Sequence, residues 1–161
     1  MIRKFNLLFL NLFGIGKIKY APGSMASFFT CLLFLFLVYY LSILFVFFLT
    51  LLIFLYSFVA INNSYESYDS KDPQEIVIDE FVGQMLPLLA VPIYETLHPS
   101  SKLYYCIIAF VLFRFFDIFK PFPISYVDKN TNGALGIMMD DVLAGFFTII
   151  VMILIFFFIG G

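Results

Sequence analysis

Phe28 to Ile61 is an uncharged, apolar run of 34 residues. As one α-helix it would be about 51 Å long, far beyond a hydrocarbon core of about 30 Å. The run therefore predicts a hairpin of two spans, 28–40 and 43–61. Its hinge falls at Tyr39-Tyr40-Leu41-Ser42, since tyrosine favours the headgroup level. A third apolar segment, Ile76 to Tyr94, contains Pro87 and Pro92, which predict a kinked or shallow helix. A fourth runs from Leu103 to Phe119 and is stopped by Lys120-Pro121-Phe122-Pro123. A fifth runs from Val142 to Ile159. At the amino end, Arg3-Lys4 precedes an apolar stretch broken by Asn6 and Asn11, which reads as an uncleaved interfacial amphipathic helix rather than a signal peptide.

The predicted fold is an all-α polytopic membrane bundle of about five transmembrane segments, forming one domain over residues 1–161. Counting crossings from an inside amino terminus places Arg3, Lys4, Lys17, Lys19, Lys71, Arg114, Lys120 and Lys129 inside and only Lys102 outside. That asymmetry obeys the positive-inside rule. A single span over 28–61 would instead split the polar groups between the two faces. Composition agrees with a lipid setting: 63% hydrophobic, 21% aromatic and 12% charged, with mean hydropathy +1.03. A soluble domain is closer to half apolar and a quarter charged. The net charge of −2 gives no footing for nucleic acid. Cys31 and Cys106 lie in apolar runs and read as small buried hydrophobes. His98 reads as a loop residue.

Against this background the eleven acidic residues are informative, because they come in tight groups. An ionised side chain beside hydrocarbon is expensive. Asp72-Pro73-Gln74-Glu75 has the form of a capping box. Glu75 and Asp79, four apart, are predicted to share a helix face with Asp72 at its top. No cap explains the adjacent Asp79 and Glu80; a bound cation would. Arg114 and Asp117 are three apart on one helix, with Lys120 a turn beyond. They form either an intrahelical ion pair or a phosphate clamp in which Asp117 ligates a metal or orients the guanidinium. Asp140 or Asp141 is expected to cap the last helix, and the second aspartate then reads as a ligand. Gly14-Ile15-Gly16-Lys17 before Ala21-Pro22-Gly23 is either an anion-cradling loop or an interfacial turn. Together these groups predict a hard divalent cation and a phosphate at the inner membrane face. The expected metal ligands are Glu75, Asp79, Glu80, Asp140 and Asp141. The expected catalytic residues are Asp79, Glu80, Asp117 and Asp141. Arg114, Lys120 and Lys71 are the expected substrate contacts.

Cysteine-based phosphatase chemistry is excluded, because no cysteine has an arginine five residues downstream in a loop. His98 lies on the outer side and cannot serve as a nucleophile inside. Metal-assisted attack by water or by a carboxylate remains. A cation- or proton-coupled transporter is the rival class, but transporter sites lie near the midplane and these acids cluster at helix ends on one side.

The blocks Lys71-Asp72-Pro73-Gln74-Glu75-Ile76-Val77 with Asp79-Glu80 and Gly83, Phe113-Arg114-Phe115-Phe116-Asp117 with Lys120-Pro121 and Pro123, and Gly136-Ile137-Met138 with Asp140-Asp141 and Ala144-Gly145 resemble the phosphatidylglycerophosphatase A family of bacterial lipid phosphatases. Ala21-Pro22-Gly23-Ser24 with Ser27 resembles that family's amino-terminal Pro-Gly element. Here Ser24 replaces a usual Thr, Ala26 a usual Gly, and Gly133-Ala134 a frequent Gly-Gly. The resemblance implies magnesium-dependent hydrolysis of phosphatidylglycerophosphate to phosphatidylglycerol and phosphate, in phospholipid biosynthesis. It also implies a multi-pass location in the bacterial inner membrane with the site on the cytoplasmic side.

Overall fold

The computed structural model describes residues 2–64 and 75–159, which are all-helical apart from turns. The elements run α1 (Ile2–Leu10), a 3-10 segment (Leu12–Lys17), α2 (Pro22–Tyr40), α3 (Ile43–Ser64), α4 (Ile78–Leu89), α5 (Val91–Leu97), α6 (Lys102–Phe119), α7 (Ile124–Asn130) and α8 (Gly133–Ile159). Three of them, α2, α3 and α8, are long and apolar enough to cross a membrane. The chain is thus a membrane protein, with the predicted hairpin broken at Leu41-Ser42 as expected. The α6 helix has 18 residues but carries Lys102, Arg114 and Asp117.

The third predicted segment is divided. Pro87 lies inside α4, the chain breaks at Ala90, and Pro92 opens α5. The predicted helix start at Asp72–Glu75 is corrected: α4 begins at Ile78, with Val77 before it and no side-chain cap. Val77 instead donates its N–H to the carbonyl of Leu10, 3.0 Å away at the end of α1. The last helix also starts earlier than predicted, at Gly133 rather than Val142. Asp140 and Asp141 therefore sit two turns inside α8, and neither caps it. The short α7 was not predicted.

α8 is the hub and packs on α3, α4, α5, α6 and α7. Its contact with α4 is close because Gly83 and Gly145 face each other. A Cβ on Gly145 would fall 2.5 Å from the Gly83 carbonyl oxygen, and one on Gly83 would fall 2.7 Å from the Asp141 carbonyl oxygen. Small residues are what let membrane helices approach this far. The amphipathic α1 exposes Ile2, Phe5 and Leu8 and buries Asn6 and Leu10. It lies on α3, where Tyr56 donates its hydroxyl to Asn6 Oδ1 at 2.8 Å. Cys31 and Cys106 are buried where α2 meets α6, with Cys31 Sγ 3.8 Å from the Cys106 carbonyl. His98 caps the end of α5 and stacks on Phe156.

Candidate active site

The starts of α2 and α4, the end of α6, α7 and the first turns of α8 surround one cavity of about 530 Å³. Two sets of side chains line it, one acidic and one basic.

The acidic set is Asp79 and Glu80 from α4 and Asp141 from α8. One carboxylate oxygen from each lies within 4.8 Å of the others. The Gly83–Gly145 contact produces this, because it brings α8 against α4 one turn below Asp79. Asp79 and Asp141 are buried and Glu80 is half-buried. Asp79 Oδ1 and Glu80 Oε2 are buried without a hydrogen-bond partner among the described residues. Buried polar atoms are normally paired, and carboxylates at this spacing repel one another. Unpartnered, all-oxygen donors converging on one point fit a hard divalent cation and do not fit a soft one. Glu80 also lies against the start of α2: a Cβ on Gly23 would collide with its Oε1.

The basic set is Arg114 and Lys120, with Lys19 and Lys129 at the rim. Arg114 Nη1 is 2.6 Å from Asp117 Oδ2, and both side chains are largely buried. The same nitrogen donates to Ser27 Oγ at 3.4 Å, while Ser27 donates to the Gly23 carbonyl at 3.0 Å. Asp117 and Ser27 together hold the guanidinium facing the cavity. Lys120 follows α6 in a left-handed conformation, φ 43°. Its ammonium lies 2.5 Å from Asp128 on α7 and 2.6 Å from Asp140 on α8. Burial works against that charge. The hydrogen bonds donated to Asp128 and Asp140 outweigh burial and hold the lysine protonated above its usual range.

The structure therefore brings Asp79, Glu80, Asp117, Asp140, Asp141, Arg114 and Lys120 into one cavity. It assigns the neighbours Asp140 and Asp141 to different partners, because successive residues on a helix point about 100° apart. Asp141 joins the carboxylate trio and Asp140 holds Lys120. Glu75 is not brought in. It lies exposed in a turn before α4, so the predicted helix face shared with Asp79 does not form. Lys71 and Asp72 lie outside the described residues. Gly14 and Gly16 belong to the 3-10 segment capped by Asn11, whose side chain accepts from the Gly14 N–H at 2.9 Å. Of the amino-terminal loop it is Lys19, Ala21, Pro22 and Gly23 that line the cavity. Two partners of the basic set escaped the chemical reading of the sequence. Ser27 looks like any helical serine. Asp128, flanked by Lys129 and Asn130, looks like a solvated loop residue.

Residues 8–156 match the family model described as Phosphatidylglycerophosphatase A. A Haemophilus influenzae protein named "Phosphatidylglycerophosphatase A" is 38% identical over 139 residues, covering 86% of this chain and 81% of its own length. An Escherichia coli protein of the same name is 39% identical over 74 residues, covering 46% of this chain and 39% of its own. A Bacteroides thetaiotaomicron protein named "Putative phosphatidylinositol-3-phosphatase" is 38% identical over 141 residues, covering 86% of this chain and 85% of its own. No solved structure matches the chain.

Proposed function

This chain belongs to the phosphatidylglycerophosphatase A family and is a phosphatase, and we propose that it hydrolyses phosphatidylglycerophosphate to phosphatidylglycerol and phosphate with Mg2+, at the cytoplasmic face of the bacterial inner membrane. The observation that carries this reading is the converging trio Asp79, Glu80 and Asp141, with Asp79 Oδ1 and Glu80 Oε2 unpartnered, lining one cavity with Arg114 and Lys120. The trio would hold the cation. Once bound, a divalent cation supplies Lewis-acid polarisation of a phosphoryl oxygen and a more acidic water. Arg114 presents a planar fork to the phosphate, oriented by Asp117 and Ser27. Lys120 adds a point charge beside it. Water adds to phosphorus as the ester oxygen leaves, and its proton ends on the lipid alcohol.

The sidedness of the ends supports five crossings by a single catalytic unit. The starts of α2 and α4, the end of α6 and the start of α8 share one cavity. The α2–α3 hairpin, α4 with α5, α6 and α8 then alternate in direction as the parity of the charges requires. α8 is about 40 Å long at 27 residues. Seating its apolar end at the far boundary leaves about 10 Å outside the hydrocarbon. That is close to the seven residues before Asp140, which puts the acids at headgroup depth. A transporter site near the midplane fits this poorly. A cysteine placed at Ser100 should label from outside and one at Asn130 only from inside, with buried Cys31 and Cys106 silent. The reverse pattern refutes the topology.

A second reading, phosphatidylinositol 3-phosphate as substrate, comes from the name of the Bacteroides relative. Phosphate release from purified protein separates the two. Phosphatidylglycerophosphate, phosphatidylinositol 3-phosphate and phosphatidic acid are compared, each with chelator and with Mg2+ restored. We expect turnover of the first alone, abolished by chelator and recovered with Mg2+. Preference for the inositol lipid replaces the substrate assignment, and full turnover in excess chelator removes the metal.

A further inference from the structure

Lys120 is doubly engaged before any substrate arrives. An ammonium has three donors and no acceptor, and two of those donors go to Asp128 and Asp140. The two partners are unequal. The Asp140 side chain is 10% exposed on the long α8, whereas that of Asp128 is 35% exposed on the seven-residue α7. A buried carboxylate that loses its cation is left without compensation, while a wet one is resolvated by water. Of the two bonds, the one to Asp128 is therefore the one that can open. Asp128 lines the same cavity as Arg114 and the carboxylate trio. A phosphate dianion entering there offers more charge and more acceptor oxygens than one carboxylate.

We propose that Asp128 is a positioning residue acting through Lys120: it holds the ammonium on the α7 side of the cavity in the free enzyme, and the substrate's phosphate displaces it. This rests on Lys120 being a phosphate contact. After hydrolysis Asp128 competes with the phosphate product for the same ammonium and helps it leave. Asp128 thus weakens phosphate binding, the opposite of what a simple ligand or a structural tie would do.

The test uses the purified full chain in mixed micelles, with phosphatidylglycerophosphate as substrate and inorganic phosphate as competing product. Asp128→Asn keeps shape and removes the charge. We expect its Ki for phosphate and its KM to fall about threefold to fivefold, the size of a partly exposed ion pair, with kcat unchanged or lower. Asp128→Glu should restore the parent Ki. An unchanged or higher Ki in folded Asp128→Asn overturns the proposal. Asp128→Ser carries the same expectation if the Asn variant does not accumulate, and failure of both to fold marks Asp128 as a structural tie and overturns it equally. Lys120→Met separates this from the underlying reading. A Ki raised about tenfold or more supports Lys120 as the phosphate contact. An unchanged Ki removes that contact and the role of Asp128 with it.

Discussion

Asp141→Asn should fold, melt no lower than the parent chain, and release phosphate more than about a hundredfold more slowly. Asp141 is 3% exposed and faces Asp79 and Glu80 at ligand spacing. Two unit charges about 4.8 Å apart repel by roughly 3 kcal/mol at the effective dielectric suited to protein sites. An amide of the same shape removes that repulsion without opening a cavity. It also removes one anionic oxygen from the trio. Losing a residue that merely supports a ligand reduces metal affinity or activity by about 10- to 100-fold, so losing a ligand should do at least as much. A second readout does not depend on turnover. Anything that binds only the folded state stabilises it, by about 2.7 kcal/mol at a hundred times its dissociation constant. Mg2+ should raise the melting temperature of the parent and leave that of Asp141→Asn nearly unmoved. A variant that hydrolyses substrate at close to the parent rate, or responds equally to Mg2+, would show that the trio holds no catalytic cation. Stability gained as activity is lost is the mark of a site that keeps like charges together for function.

Much of the site was legible because lipid makes charge conspicuous. Asp79-Glu80, Arg114 with Asp117, and Asp140-Asp141 each stand out against apolar neighbours, charge parity predicts them on one side, and they line one cavity. The boundaries were less legible. Asn132-Gly133 reads as a turn, and the apolar span is expected only from Val142. In the structure Ala134, Ile137 and Met138 are buried, and that packing carries α8 through the stretch. At the start of α4, a capping pattern at Asp72–Glu75 pointed upstream. The Val77 N–H is taken by Leu10, more than sixty residues earlier, and no local pattern encodes that partner. Division of labour between Asp140 and Asp141 was hidden for a related reason. Both are expected at the cap of a helix starting at Val142, and the lysine that claims Asp140 comes from the end of a different helix.

Arg114→Lys should lose a decade or more of activity while the protein still folds and inserts. Arg114 Nη1 already bonds Asp117 and Ser27, which locks the guanidinium plane. A lysine ammonium can keep one of these partners but cannot present two parallel N–H groups to a phosphate. A charge-assisted hydrogen bond is worth about 1.5–3 kcal/mol, which is one to two decades in rate at 1.4 kcal/mol per decade. The opposing account makes Arg114 and Asp117 a pair that only makes each other tolerable, since their side chains are 16% and 12% exposed. Replacing a buried ion pair by apolar residues of similar volume is often neutral or stabilising, so on that account the double variant Arg114→Leu with Asp117→Leu stays active. We expect the double variant to insert and melt normally yet release almost no phosphate. Its Ki for inorganic phosphate should rise along with the loss of turnover, because the fork that holds the dianion is gone. An active double variant would make the pair structural and leave Lys120 as the phosphate's principal cation.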